Sequence, residues 1–257
     1  MGPIEKYLID AIHQMGSIHL TLMDPEEIDI SKVAIISKIV EDAGTTAIMV
    51  GGSTVVSINQ LDEVVKTIKN NVKIPVILFP NNLTGVSRYA DATWFMSLLN
   101  SNNPYFITGI QALAAPLIKR IGIEAIPLGY IIIGDGSTAA YVGQAHSIPH
   151  DKPEVATSFA LAAQYLGMRF VYLEAGSGSK KQVETSMVSM VKKHLNIPVI
   201  VGGGIKTKLD AKSMAEAGAD VVVTGTIIEE KPSGKIINEI IKSIKQAREK
   251  MQIHGLS

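Results

Sequence analysis

The stretch FVYLEAGSG, residues 170–178, sets the reading of the whole chain. A hydrophobic run, Phe170 to Leu173, ends on a carboxylate, Glu174. A turn of Gly176, Ser177 and Gly178 follows, with almost no side chain. The same shape recurs elsewhere. Val50 leads into Gly51-Gly52-Ser53, Val201 into Gly202-Gly203-Gly204, and Thr224 into Gly225-Thr226. Each is a strand closing on a turn that leaves the backbone bare.

Working outward, such runs alternate with helical patterns. The predicted strands are Ile18–Met23, Thr46–Val50, Val76–Phe79, Tyr105–Thr108, Ile126–Ile133, Phe170–Leu173, Val199–Val201 and Val221–Thr224. Most are continuous apolar runs without strict alternation, as in parallel sheets covered on both faces. Among the predicted helices, Ser31–Ala43 carries Val33, Ile36, Ile39 and Val40 on one face, and Ile58–Asn70 carries Leu61, Val64, Val65 and Ile68. Pro153–Gly167 opens on proline and closes on glycine. Lys235–Lys250 sets five isoleucines on one stripe. Strands alternating with helices over 257 residues predict one domain, 1–257, folded as a (β/α)8 TIM barrel. The alternative is a doubly wound open sheet. Leu83–Asn100 is irregular and has room only for a short helix, so the third βα unit is expected to depart from the repeat.

Composition narrows the function. Apolar residues make up 46% of the chain and charged residues 19%, enough for a large core. The net charge is zero, which speaks against nucleic acid as a partner. There are no cysteines, hence no disulfides or thiolate metal sites. No apolar run reaches the ~18 residues of a membrane span, and no secretory signal opens the chain. The expectation is a soluble cytoplasmic protein.

The strand ends carry the chemistry. Bare amides converging from neighbouring turns make an anion site. In such barrels the turns after strands seven and eight often hold phosphate. Here they are GGGIKT and TGT, and GSGS after strand six offers a third wall. Any one of these glycines could instead serve only a tight turn. Asp24 and Ser53, at the first and second strand ends, suit Mg²⁺ shared with a phosphorylated substrate. Asp24 reads equally well as a helix cap in Asp-Pro-Glu-Glu. Glu174 can accept a proton from a substrate hydroxyl, or can sit in a salt bridge at the barrel mouth. Tyr172 lies on the same side of its strand and either reaches the same ligand or fills the barrel. Lys180, Lys181, Lys206 and Lys208 either steer an anion or face water. His146 and His150 read as surface loop residues. Trp94, Phe95 and Met96 read as core or as the wall of an apolar groove.

Several stretches together resemble one family, the geranylgeranylglyceryl phosphate synthases of archaeal lipid biosynthesis. They are HLTLMDP (19–25), IMVGGST (48–54), AYVGQAHSIPHDKPE (140–154), YLEAGSG (172–178), VGGGIKT (201–207) and VTGT (223–226). The likeness runs from Ile18 to Lys231. YLEAGSG with the MDP and VGGS tips is specific, whereas GGG and GT turns occur in many phosphate-binding barrels. The resemblance implies a Mg²⁺-dependent prenyltransferase joining sn-glycerol 1-phosphate to geranylgeranyl diphosphate through an ether bond. It implies that Tyr172, Leu173, Glu174, Ala175, Gly176, Ser177, Gly178, Gly203, Gly204, Gly225 and Thr226 hold glycerol 1-phosphate. Glu174 would be the base, and Asp24 and Ser53 the metal positions. It also implies a homo-oligomer, with Leu83–Asn100 as an interface, and a transient membrane-surface contact. Prenyl length would follow whichever bulky side chain ends the groove, with Trp94, Tyr130 and Tyr141 as candidates.

Two other functions share the phosphate turns: a barrel enzyme acting on a small sugar phosphate, and a non-catalytic barrel that binds a phosphometabolite.

Overall fold

Eight parallel strands close into a barrel in chain order. The computed structural model describes every residue except 55–56, 177–178, 180, 226–233 and 254–257. The strands are β1 (Ile18–Met23), β2 (Ala47–Val50), β3 (Val76–Leu78), β4 (Ala92–Leu98), β5 (Glu124–Ile132), β6 (Phe170–Glu174), β7 (Val199–Gly202) and β8 (Val221–Thr224). β8 pairs back onto β1, with Thr21 opposite Thr224. The (β/α)8 expectation holds, and the open doubly wound sheet is excluded.

Burial on both faces explains the uninterrupted apolar runs: β2, β3, β7 and β8 are buried at every position. One cluster draws a residue from every strand, including Leu20, Met49, Ile77, Trp94, Phe170 and Val221, and fills the barrel interior. Alternate residues, such as Ile48, Val50 and Leu78, pack outward against the helices. Fully burying one such side chain contributes roughly 1.5–3 kcal/mol.

The helices are α1 (Pro3–Met15), α2 (Ile30–Ala43), α3 (Ile58–Asn71), α4 (Ile110–Ile121), α5 (Thr138–Val142), α6 (Pro153–Tyr165), α7 (Thr185–His194), α8 (Lys208–Glu216) and α9 (Gly234–Ile253). α1 seals the end of the barrel where strands begin. Its Leu8, Ala11 and Ile12 join the interior cluster. Glu124, at the start of β5, accepts from Ile4 N and Glu5 N of its first turn at 2.7 and 2.9 Å. The opposite end, where the strands finish, stays open.

One predicted strand is wrong. Tyr105–Thr108 lies in a π-helical turn, Tyr105–Gly109, that runs directly into α4. The true fourth strand is Ala92–Leu98, paired to Ala92–Thr93's partners on β3 and along its whole length to β5. Thr93 and Ser97 interrupt its apolar run, so it lacks the signature that marks the other strands. The third unit is irregular as expected: between β3 and β4 the described chain makes only a 3-10 turn, Leu83–Gly85. Of the aromatic residues of this segment, Tyr89 and Phe95 are half-buried. Trp94 is buried and stacks edge-on against Phe170 at 5.1 Å.

Candidate active site

A cleft of about 1490 Å³, counting its open mouth, occupies the strand-end face. β6 delivers Glu174 to its rim. Register places Glu174 between Ile132 of β5 and Gly202 of β7. The carboxylate is buried, and its charge is met by hydrogen bonds. Gly176 N donates to Oε1 at 2.6 Å, and the Tyr172 hydroxyl donates to the same carboxylate. No salt bridge forms at Glu174 among the described residues. Burial pushes its pKa above the usual carboxylate value, and the two hydrogen bonds only partly offset this.

Tyr172 is part of an aromatic trio. Its ring stacks with Phe79 at 5.5 Å and meets Tyr130 edge-on at 5.5 Å, while Phe79 and Tyr130 meet at 5.4 Å. Burial and the nearby Glu174 charge hold both phenols well above their usual pKa, so both stay protonated. A Cβ on Gly202 would collide with the Tyr172 hydroxyl, so the bare β7 tip is what admits that ring.

Two of the glycine turns come together. Gly203 has φ +83°, and a Cβ there would stand 2.6 Å from Gly176 N. The turns after β6 and β7 therefore touch backbone to backbone. Gly203, Gly204 and Gly225 line the cleft. Leu173 and Ala175 flank the carboxylate but are buried in the layer between barrel and helices. Ser177, Gly178 and Thr226, like Lys180, lie outside the described residues. Of the other lysines, Lys206 lines the cleft, while Lys181 and Lys208 pair with Glu184 and Glu239.

Asp24 and Ser53 meet at the opposite rim, and both line the cleft. Asp24 is not the cap of α2. That role falls to Asp29, which accepts from Ser31 N at 3.0 Å. Asp24 instead closes a tight turn, accepting from Glu26 N at 3.0 Å. Burial raises its pKa, and the charges of Glu26 and Glu27 add to that. A Cβ on Gly52 would collide with its carboxyl group, so the β2 tip forms a cradle around it. The donor set fits Mg²⁺: one carboxylate and one hydroxyl, with no cluster of three metal-binding side chains among the described residues. An Mg²⁺ ion bound there would take its remaining ligands from water and substrate phosphates.

Between these rims the cleft runs into an apolar groove. Ile110, Ala114 and Ile118 line it from α4, with Phe106, Val86 and Met96. The groove exists because the third unit has no helix to cover that flank. Its α4 stripe at i, i+4 and i+8 is readable in the sequence as one apolar helix face. Trp94 and Tyr130 also line the cleft, but Tyr141 is 88% exposed and does not. His146 and His150 stand outside it too. His146 is exposed; the His150 ring packs over Gly134, and burial, with Lys181 nearby, lowers its pKa.

A family model described as the PcrB family matches residues 10–247. The geranylgeranylglyceryl phosphate synthase of Thermofilum pendens is 50% identical over 248 residues, 96% of each chain. That of Pyrococcus abyssi is 48% identical, covering 96% of this chain and 97% of its own. Among solved structures, the (S)-3-O-geranylgeranylglyceryl phosphate synthase of Thermoplasma acidophilum, in complex with sn-glycerol-1-phosphate, superposes with a TM-score of 0.89. It is 44% identical and covers 93% of this chain and 98% of its own.

Proposed function

This chain belongs to the PcrB family, and we infer that it is the prenyltransferase that joins sn-glycerol 1-phosphate to geranylgeranyl diphosphate in archaeal lipid synthesis. One observation carries the reading: a buried carboxylate, Glu174, stands where phosphate turns meet an apolar groove. A small sugar phosphate has no use for such a groove.

The turns at Gly176, Gly203, Gly204 and Gly225 grip the phosphate of glycerol 1-phosphate and leave its C3 hydroxyl at Glu174. The prenyl tail lies along the groove with its diphosphate toward Asp24 and Ser53. Bound there, Mg²⁺ would neutralise charge on the leaving diphosphate. The C3 oxygen forms a bond to the allylic C1, the bond from C1 to the diphosphate oxygen breaks, and the hydroxyl proton passes to Glu174. Burial makes Glu174 a stronger base than an exposed carboxylate. Its negative charge, and the faces of Phe79, Tyr130 and Tyr172, favour the cationic character that C1 gains. Fixing the phosphate turns a bimolecular encounter into a positioned one.

The reading extends to its surroundings. No helix among the described residues is long and apolar enough to cross a membrane. A cytoplasmic enzyme that takes its lipid by transient contact with the membrane surface accords with this. Exposed Leu113 and Leu117 on α4, with Tyr165 and Leu166 at the end of α6, are apolar positions suited to a homo-oligomer contact.

The test mixes purified protein with sn-glycerol 1-phosphate or its mirror image and prenyl diphosphates of several lengths, with Mg²⁺ or with a chelator. An ether product of the expected mass from one enantiomer, only with Mg²⁺, is the expected result. Absence of any ether product would sink the reading.

A further inference from the structure

Between barrel and helices, one group of polar side chains forms a connected network across the β8–β1 seam. His19 on β1 is buried, as are Thr21, Thr45 and Thr224. His19 Nδ1 lies 2.9 Å from Thr45 Oγ1, and Nε2 lies 2.9 Å from Thr224 Oγ1. Thr21 Oγ1 donates to Thr45 Oγ1 at 3.1 Å, and Thr45 Oγ1 donates to the His19 carbonyl at 3.2 Å.

One assignment of the protons satisfies all four contacts. With its own hydrogen on the His19 carbonyl, Thr45 can only accept from the ring, so Nδ1 carries the imidazole proton. Nε2 is then an acceptor, and the Thr224 hydroxyl donates to it. The ring stays neutral, because burial lowers its pKa to about 3. Burying four polar side chains carries a desolvation cost that an apolar set would avoid; what a closed network adds is fixed geometry. The geometry fixed here is that of Thr224, the last residue of β8, which lines the cleft beside Gly225.

We propose that His19 is a positioning residue for the acceptor substrate: through Thr224 it anchors Gly225 so that its amide faces the phosphate. It acts at the β8–β1 seam and touches neither substrate. The inference rests on the reading of the cleft as a glycerol 1-phosphate site.

Thr224→Val keeps shape and volume and removes the hydroxyl. Its KM for sn-glycerol 1-phosphate should rise by up to about tenfold, the range of one lost hydrogen bond. kcat and the KM for prenyl diphosphate should stay within about twofold. Thr224→Ser should restore the wild-type value, and His19→Gln, which keeps a polar end in reach, should fall between wild type and His19→Ala. Calorimetric titration of sn-glycerol 1-phosphate onto the same variants should show the same order. An unchanged KM and affinity in folded Thr224→Val overturns the proposal. So does a loss of melting temperature with kcat falling equally and no change in either KM. Turnover by the wild-type protein tests the enzymatic reading separately, and the titrations test the anchor without it.

Discussion

A Cβ placed on Gly203 would stand 2.5 Å from Oε1 of Glu174. The turn assigned here to the phosphate and the carboxylate assigned as the base are therefore in contact. Gly203→Ala should move both. Its φ of +83° disfavours any side chain, and the methyl would press on the carboxylate. We expect a stability loss of about 1–3 kcal/mol, weaker binding of glycerol 1-phosphate and a fall in kcat. Denaturant titration and calorimetry measure these; unchanged affinity for glycerol 1-phosphate would contradict the assignment of this turn.

Glu174→Gln separates binding from chemistry. Turnover should fall by roughly 10²–10⁴-fold, the usual contribution of a positioned base. Affinity for glycerol 1-phosphate should hold within a few-fold. Stability should not fall. A carboxyl whose folded pKa is raised favours folding in its protonated form, and this contribution is lost as pH rises through the folded value. At neutral pH the amide mimics the favoured neutral form, so the melting temperature should match or exceed that of the parent. A marked drop in melting temperature would assign Glu174 to structure.

The same shift predicts the pH profile. The base works when ionised, so kcat should decline as pH falls through a value above 4.5, the ordinary glutamate figure. The Tyr172 hydroxyl lowers the Glu174 pKa by donating to it. Removing that donor in Tyr172→Phe should displace the acid limb to higher pH while leaving the plateau nearer to wild type. A limb that does not move would show that this hydrogen bond is not felt at the base.

Trp94 is the largest of the three indole- or phenol-bearing side chains that line the cleft, with Tyr130 and Tyr172, and it is fully buried. Trp94→Ala should open the groove and let longer prenyl diphosphates react, at a stability cost of about 3–5 kcal/mol. Competition between prenyl diphosphates of different length, read by product mass, checks this. An unaltered length preference would place the limit elsewhere on the wall.

The barrel was legible because its strands are short, buried on both faces and closed by glycine turns, a pattern that survives without any neighbour information. Glu174 and the turn glycines stood out for the same reason: each is a departure from an apolar run at a fixed point in the repeat. β4 was not legible. Thr93 and Ser97 break its run, while Tyr105–Thr108 carries a better strand composition inside a helical turn. Pairing with β3 and β5 outweighed local preference in the first case, and continuity with α4 did so in the second. The groove's wall was legible at Trp94, Phe95 and Met96 but not on α4, because that side is opened by a helix that is missing. The His19 network escaped notice because its members are 205 residues apart in sequence at their widest.

The missing third helix has a consequence for how such a protein can diversify. Anion grip and tail accommodation are assigned to separate stretches of chain: glycine tips on β6 to β8 for the first, the inward stripe of α4 and the neighbouring sheet for the second. Shaving or enlarging Ile110, Ala114 or Ile118 should change the size of lipid admitted and leave the reaction at the rim as it was.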